Sequence, residues 1–284
     1  MDTLRAFRDK NPLRAAELAG ARWQWLAGGP PNAPALLLLH GMTGAADIWF
    51  QQIVRWRDRL RVIAVTYPEL DSLERMADGV CTVLQAESVS RAHVIGSSLG
   101  GYLAQFLVAA RPEVVASAVF GNTFPPGSAV QRTLLERASA QAALTDAQWR
   151  AALAAQVREH IHPAGGHSAL LRAYQLEQAE GALQRRTFEA RGRCAAQAFV
   201  PRDPASLGIA SLIVESDNDP LLPAPVRAAM AACYPSTPVA TLRGGGHFPY
   251  LSAPAAYDPV IERFLAPPAG GAARTGTPPP PPPR

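Results

Sequence analysis

Three polar residues, far apart in the chain, form the combination of groups that acyl-transfer enzymes use. Ser98 lies in the segment GSSLGG at 96–101, Asp219 lies in SDNDPLLP at 216–223, and His247 follows three glycines. In this combination the hydroxyl attacks a carbonyl carbon, the imidazole takes the hydroxyl proton, and the carboxylate orients the imidazole. The order serine, acid, histidine along the chain is one that such triads adopt. We therefore predict that Ser98, Asp219 and His247 are catalytic.

Ser98 is predicted to lie on a sharp turn between a buried strand, at 92–95, and a helix. Small residues are needed two positions before and two positions after the serine, because the backbone passes very close to itself there. Gly96 and Gly100 meet that requirement. The N–H of Leu99 and the positive end of the helix dipole would then face an oxyanion that develops beside Ser98. Leu99 is accordingly predicted to form one half of an oxyanion hole.

A second glycine-containing segment, HGMTG at 40–44, follows directly after the apolar run at 35–39. Acyl transfer needs another backbone N–H that faces the tetrahedral oxygen, and such a turn is where these enzymes obtain it. Met42 is the predicted donor, with Thr43 next, and one such donor contributes about 2.7–4 kcal/mol to catalysis. His40 is interpreted as a residue that fixes the loop by hydrogen bonding rather than as a second general base.

Two other carboxylates compete with Asp219 for the role of the acid. Asp217 lies in the same segment and Glu215 directly precedes it, but turn formation and capping account for both. Asp219 is preferred because the sequence PLLP that follows resembles the usual exit from such a loop.

Three further residues are predicted to bind the substrate, namely Phe124, Thr43 and Tyr102. Phe124 has the best claim, because it follows the predicted strand at 114–120 at the edge of the sheet. For the aromatic residues, ordinary core packing is the competing interpretation.

Short β-rich runs alternate with helical patterns along most of the chain. Such alternation indicates parallel strands joined by crossover helices, and therefore an α/β class with a mostly parallel, doubly wound sheet. Residues 125–207 break the rhythm with a helical, Ala-, Gln-, Glu- and Arg-rich composition, so we predict a helical cap insertion above the carboxyl edge of the sheet. The sequence predicts one domain over 1–266, followed by a disordered Pro/Gly-rich tail at 267–284.

Composition excludes several other classes of function. Lys10 is the only lysine among 27 basic residues, the net charge is +4, and the arginines are scattered, so we expect no nucleic-acid partner. The cysteines Cys81, Cys194 and Cys233 show no metal-binding or disulfide spacing. The first residues lack the apolar core of a signal peptide and no apolar run reaches the length of a membrane span, so we expect a cytoplasmic protein without a membrane span.

No cofactor is expected, and one superficial metal motif is rejected. His160, His162 and His167 lie close together, but glycines at 165 and 166 separate them and nothing nearby completes a tetrahedral ligand set. We therefore predict a solvated turn rather than a metal site.

Four segments together, GSSLGG, HGMTG, SDNDPLLP and GGGHFPYL, resemble the α/β-hydrolase superfamily over about residues 20–265. YPELDSLERMADGVCTVL at 67–84, GSSLGGYLAQFLV at 96–108 and GGGHFPYLSAPAAY at 244–257 are similar to the maspardin-like branch of that superfamily. The resemblance implies an α/β-hydrolase fold. Many members carry a D-x-x-G-x-G-x-S loop after the strand at 61–67, where this chain has YPELD, which agrees with the maspardin-like branch and weakens assignment to a specific esterase or dehalogenase.

Two hypotheses about function follow. In the first, the chain is a serine hydrolase that cleaves a small ester or related acyl substrate through an acyl-enzyme. In the second, it is a maspardin-like, non-catalytic binding or adaptor protein on a hydrolase scaffold, because eukaryotic maspardins are usually regarded as binding or trafficking proteins. A protein partner would then contact the cap or the proline tail. The complete Ser98, Asp219 and His247 set favours the first hypothesis.

Overall fold

Eight strands form one sheet at the centre of the molecule, and the computed structural model describes residues 1–160 and 166–266. The strands are Arg14–Leu18 (β1), Ala21–Gly28 (β2), Ala35–Leu39 (β3), Arg61–Thr66 (β4), Ala92–Ser97 (β5), Val115–Gly121 (β6), Ala210–Ser216 (β7) and Val239–Leu242 (β8). Their order in the sheet is β1-β2-β4-β3-β5-β6-β7-β8. The six strands from β4 to β8 are mutually parallel, whereas β2 pairs antiparallel with β1 and β4. The predicted doubly wound, mostly parallel sheet is thus confirmed.

Helices cover both faces of this sheet. One face is covered by Asp2–Lys10 (α1), Phe50–Trp56 (α2), Pro249–Ser252 (α10) and Pro254–Leu265 (α11). The other face is covered by Leu73–Ala86 (α3), Leu99–Ala110 (α4) and Ala224–Cys233 (α9). Alternate residues of β3 enter the two cores, with Leu37 and Leu39 on the α3/α4 side and Leu36 and Leu38 on the other. Strands that are buried on both faces have such continuous apolar runs.

The N-terminal elements α1 and β1 have no counterpart among the predicted elements. Helix α1 buries only Leu4 and Phe7, and β1 has no fully buried residue. A strand at the edge of the sheet with few buried side chains shows little alternation of apolar and polar residues, so its sequence resembles a loop. The strands predicted at 61–67, 92–95 and 114–120 differ from the observed ones by one or two residues at their ends. Helix α11 continues through Pro259 as a single helix.

The chain between β6 and β7 contains a helical cap. Its helices are Ala129–Gln141 (α5), Asp146–His160 (α6), Gly166–Glu177 (α7) and Arg185–Ala196 (α8), with a π-helical turn at Gln178–Ala182. Helix α5 packs on α8, and α6 packs on α7. Arg185 of α8 donates to the Gln141 carbonyl at 3.0 Å and so links the end of α5 to α8. The limits 125–207 for this unit, and 1–266 for a single domain, stay predictions.

Closely spaced arginines, in short clusters at 55–61 and 185–186, form ion pairs with carboxylates of the same chain. Arg55 and Arg59 both contact Glu262, and Arg61 contacts Glu87, whose side chain is only 3% exposed. Exposed pairs of this kind contribute little to stability, whereas a buried carboxylate depends on its partners. These contacts give the clusters a structural explanation.

Some expectations fall on residues without a described placement. The Pro/Gly-rich tail at 267–284 and His162 lie outside the described residues, and so do the side chains of His160 and His167. Within the described part of the chain, no group of three His, Cys, Asp or Glu side chains is arranged to hold a metal ion. Within the same residues, none of the helices combines the length and the apolar character that crossing a membrane requires.

Candidate active site

Ser98 lies on a strained turn between β5 and α4. Its φ and ψ angles are 56° and −119°, a conformation that L-residues seldom adopt. A Cβ at Gly96 would lie 2.0 Å from the Gly100 carbonyl oxygen, and a Cβ at Gly100 would lie 2.1 Å from the Leu39 carbonyl oxygen. Both positions therefore require glycine, as predicted for a serine nucleophile turn. The turn is held by the Ser98 N–H, which donates to the Gly121 carbonyl at 2.9 Å.

His247 and Asp219 form a buried hydrogen-bonded pair at the carboxyl edge of the sheet. His247 Nδ1 lies 2.8 Å from Asp219 Oδ2, and the Asp219 side chain is fully buried. Asp219 Oδ1 accepts from the N–H groups of Leu221 and Leu222 at 2.8 and 3.2 Å. Burial pushes the pKa of Asp219 upward, but His247 and the hydrogen bonds to the carboxylate outweigh burial, so this pKa lies below its ordinary value. Asp219 is therefore ionised at neutral pH and fixes the imidazole.

The two competing carboxylates have structural roles instead. Asp217 Oδ1 accepts from the Gly244 N–H at 2.8 Å and so joins the acid loop to the histidine loop. Glu215 accepts from the Thr241 hydroxyl at 3.0 Å on the neighbouring strand. Asn218 joins the same two loops, since its Oδ1 accepts from the Gly246 N–H at 2.8 Å. These contacts set the distance between the loops that carry Asp219 and His247.

Two backbone N–H groups lie near Ser98, that of Met42 in the loop after β3 and that of Leu99 at the start of α4. A Cβ at Gly41 would lie 3.1 Å from Ser98 Cβ, so this loop and the serine are in direct contact. Within the described residues, the N–H groups of Met42 and Leu99 donate to no protein acceptor. Free backbone donors on either side of a serine are the arrangement that an oxyanion hole requires.

His40 is buried beside this loop and does not line the cavity. Its Nδ1 lies 2.6 Å from the Gly41 carbonyl oxygen, and the Tyr67 N–H approaches its Nε2 at 3.5 Å. Burial lowers the pKa of His40 well below its ordinary value, and the charge of Arg191 lowers it further. A neutral ring with the proton on Nδ1 satisfies both contacts. This geometry agrees with the predicted loop-fixing role.

One cavity of about 450 Å³ brings most of the predicted site residues together. Ser98, His247, Met42, Leu99, Thr43 and Phe124 all line it. Its remaining wall is largely apolar and includes cap residues from α5, α6 and α8, namely Val130, Leu134, Leu153 and Phe188. Tyr102 does not line the cavity, because its buried ring stacks on Phe124 at 4.9 Å and its hydroxyl donates to the Gln197 carbonyl at 2.6 Å. Tyr102 therefore lies behind Phe124 and supports its ring, and it is not placed for the direct substrate contact that we predicted.

Two residues near the site are absent from the sequence predictions. Asn122, which follows β6 with a φ of 38°, donates to Asp219 Oδ2 at 2.8 Å and to the Gly246 carbonyl at 3.1 Å. Arg191 of α8 reaches the loop after β3. A polar residue directly after a central strand is a signal that could have indicated Asn122. An arginine in an arginine-rich helix carries no such signal.

Known proteins share both this fold and its sequence pattern. A sequence model of the Alpha/beta hydrolase family matches residues 36–260, and the chain belongs to that family. By family it is a hydrolase.

Two curated relatives cover parts of the chain. The uncharacterized carboxylesterase nap of Bacillus subtilis (strain 168) is 32% identical over 114 residues, which is 36% of this chain and 38% of that protein. Maspardin of Rattus norvegicus is 39% identical over 88 residues, 29% of this chain and 33% of that protein. The matches thus span well under half of either relative. They support the resemblance to the superfamily and to its maspardin-like branch.

A solved structure extends the similarity over most of the chain. A hydrolase from Pseudomonas aeruginosa PA01 superposes with a TM-score of 0.76 at 21% identity, and the match covers 89% of this chain and 98% of the other. At that identity the match shows the shared fold alone. The α/β-hydrolase fold expected from the sequence is therefore confirmed.

Proposed function

We propose that the protein is a serine hydrolase that cleaves a small carboxylic ester through a Ser98–His247–Asp219 triad. The single observation that best supports this proposal is the buried Asp219–His247 pair, in which Nδ1 and Oδ2 lie 2.8 Å apart, with His247 and Ser98 lining one cavity. A carboxylate that only stabilised the fold would not require an imidazole partner at the wall of a cavity.

The first half of the reaction forms an acyl-enzyme. Ser98 Oγ attacks the ester carbonyl carbon while His247 Nε2 takes the hydroxyl proton, and Asp219 stabilises the positive imidazolium. The negative tetrahedral oxygen accepts hydrogen bonds from the N–H groups of Leu99 and Met42. As this intermediate collapses, His247 returns the proton to the departing alcohol, and the acyl group stays on Ser98.

The second half returns the enzyme to its starting state. Water attacks the acyl carbon while His247 takes a proton from it, and the same two N–H groups hold the new oxyanion. Collapse breaks the bond to Ser98 Oγ, which regains the proton from His247, and the carboxylic acid leaves. No other group is needed for the balance of protons.

The cavity favours an ester with an apolar portion. Its volume of about 450 Å³ and its largely apolar walls suit a small acyl or aromatic group. In this proposal Phe124 and Thr43 contact the substrate directly, while Tyr102 holds the Phe124 ring in place.

A fluorophosphonate probe tests the nucleophile directly, because it forms a stable adduct with an activated serine. We expect the wild-type protein to be labelled, and Ser98→Ala and His247→Gln to lose labelling. Ser97→Ala is the matched control, since Ser97 is the adjacent buried serine and does not line the cavity. An unlabelled wild-type protein, or labelling that survives Ser98→Ala, would contradict the proposal.

A second candidate function is favoured by the match to maspardin. In that case the hydrolase scaffold binds a protein partner, through the cap or the proline tail, without turnover. We expect such a partner to remain bound to Ser98→Ala protein, whereas an ester turnover that Ser98→Ala abolishes would exclude this candidate as the main function. For either function we propose a cytoplasmic location, a proposal supported by the three free thiols.

A further inference from the structure

Arg191 is a buried charge without a carboxylate partner. The residue is 2% exposed, and its Nη atoms donate to three carbonyl oxygens, those of Met42 at 2.8 Å, Gly44 at 3.0 Å and Tyr67 at 3.1 Å. Within the described residues it forms no ion pair with Asp or Glu, and no carboxylate is among the groups that shift its pKa. Burial lowers its pKa to about 10. Burial of a guanidinium without a carboxylate partner costs free energy of folding unless its hydrogen bonds compensate for the lost hydration.

Anchoring the cap to the core does not require this charge, because neutral groups of the same segment already provide it. Cys194 Sγ donates to the Leu70 carbonyl at 3.2 Å. The Gln197 amide accepts from the Leu73 N–H at 2.8 Å and donates to the Asp71 carbonyl at 2.6 Å. These contacts, together with an exposed Arg193–Asp71 ion pair at 3.6 Å, fix the C-terminal end of α8 without Arg191, which leaves the role of Arg191 to be explained.

Two of the three carbonyls that Arg191 holds, those of Met42 and Gly44, belong to the loop that carries the Met42 N–H. In a trans peptide the C=O of one residue and the N–H of the next point in opposite directions within one plane. The Met42 N–H therefore points away from the Gly41 carbonyl, which accepts from the Gly44 N–H at 3.2 Å. Arg191 holds the Gly44 carbonyl and also the carbonyl of Met42 itself. Arg191 thus restrains directly the peptide plane that follows the Met42 Cα. The plane before it, which carries the Met42 N–H, is held by the Gly44 N–H, and Arg191 in turn holds the Gly44 carbonyl.

We propose that Arg191 is a positioning residue for the oxyanion hole, in which the guanidinium reaches from the cap helix α8 to hold the loop at 41–44 so that the Met42 N–H faces the reacting oxygen. This inference rests on the proposed serine hydrolase function. It makes activity depend on the docking of α8, because the group that sets the oxyanion loop belongs to the cap and not to the sheet.

The test compares two substitutions of Arg191 with a control on the same helix end. Arg191→Met keeps the length of the side chain but removes every donor. Arg191→Lys keeps a positive charge and donors on one nitrogen. Gln197→Ala removes two cap-to-core hydrogen bonds that lie away from the oxyanion loop, and it is the matched control for loss of cap anchoring.

Two readouts separate loop positioning from general destabilisation. The first is deuterium exchange of a peptide that covers residues 41–47, and the second is kcat and KM for p-nitrophenyl butyrate. We expect Arg191→Met to speed exchange in this peptide and to lower kcat about 10- to 100-fold with KM within twofold, since the amide donor remains but is misplaced. We expect Gln197→Ala to leave both exchange in 41–47 and kcat within twofold of wild type.

Arg191→Lys supplies a signature that a purely structural role would not give. The groups that face this position are His40, Tyr67, Tyr174 and Cys194, with no carboxylate among the described residues, so burial lowers the pKa of the lysine. We expect kcat to lie between those of wild type and Arg191→Met at neutral pH. It should fall toward that of Arg191→Met as alkaline pH removes the lysine proton, whereas Arg191→Met shows no such additional fall.

The outcomes distinguish the two proposals. If wild-type protein turns over the ester and Arg191→Met keeps kcat within twofold, or leaves exchange in 41–47 unchanged, the positioning role is wrong. If Gln197→Ala lowers kcat as much as Arg191→Met, cap anchoring explains the effect and the positioning role is again wrong. If wild-type protein shows neither turnover nor probe labelling, the serine hydrolase function fails, and the positioning role of Arg191, which rests on that function, fails with it.

Discussion

Asn122→Gly removes a side chain that donates a hydrogen bond to Asp219, the proposed catalytic acid. The two oxygens of the Asp219 carboxylate have different partners. Oδ1 accepts from two backbone N–H groups, whereas Oδ2, among the described residues, accepts only from His247 and Asn122 Nδ2. Glycine is the appropriate replacement because the φ of Asn122 is 38°, a conformation that glycine adopts without strain. The backbone bond from the N–H of residue 122 to the Val214 carbonyl, at 2.7 Å, does not depend on the side chain.

The expected cost follows from the burial of the carboxylate. A hydrogen bond to a charged group contributes about 1.5–3 kcal/mol, and Asp219 is fully buried, so we expect the free energy of unfolding to fall by about 2 kcal/mol at pH 7. Three hydrogen-bond donors to the carboxylate remain, namely two backbone N–H groups and His247. We therefore expect kcat to fall only about tenfold, which corresponds to about 1.4 kcal/mol of activation free energy. Asn122→Ala should lose about 1 kcal/mol more stability than Asn122→Gly, because alanine is strained at positive φ.

Urea denaturation from pH 4 to pH 8 measures this difference and its dependence on pH. Asp219 has a lowered pKa in the folded protein, so its stabilisation is present above the unfolded value, about 3.9, and is lost as pH falls through the folded value. The difference between wild type and Asn122→Gly should therefore be constant from pH 5 to pH 8 and should begin to narrow near pH 4. A difference that changes between pH 6 and pH 7 would follow a histidine instead, and would refute this explanation.

Two further predictions concern the edge of the sheet and the cavity. Glu87→Gln should lower the free energy of unfolding by about 3 kcal/mol, because the buried carboxylate accepts from Arg14 and Trp25 as well as Arg61. Since the pKa of Glu87 is lowered in the folded protein, this loss of stability, measured by urea denaturation, should be constant from pH 5 to 8 and smaller below about pH 4. A loss that persists in full below that pH would contradict the charge-based explanation. Leu134→Phe should narrow the cavity and lower the ratio of kcat/KM for p-nitrophenyl octanoate over acetate about tenfold. The adjacent Leu135 is 54% exposed and does not line the cavity, so an equal change from Leu135→Phe would contradict this assignment.

The sequence predicted the elements whose residues interact locally or repeat with a clear period. The buried run of β3 and the glycines around Ser98 are local requirements of backbone geometry, so one segment of sequence is enough to indicate them. Asn122 and Arg191 acquire their roles only when distant segments meet, since Asn122 contacts Asp219 and Arg191 contacts Met42. Edge strand β1 was missed for a different reason: it buries too little to need an apolar pattern.

The replacement of the common superfamily loop by YPELD has a consequence for the cap. The backbone carbonyls of Tyr67, Leu70 and Asp71 accept hydrogen bonds from the side chains of Arg191, Cys194 and Gln197, respectively. The YPELD loop is thus the surface on which α8 and the residue that follows it are seated. Since Arg191 also holds the loop at 41–44, the loop after β4 and the proposed oxyanion loop are joined through one cap helix. A departure from the superfamily pattern at 67–71 therefore favours a cap that is fixed to the active site at α8, and leaves α5, with only Gln131 buried, as the more exposed wall of the cavity.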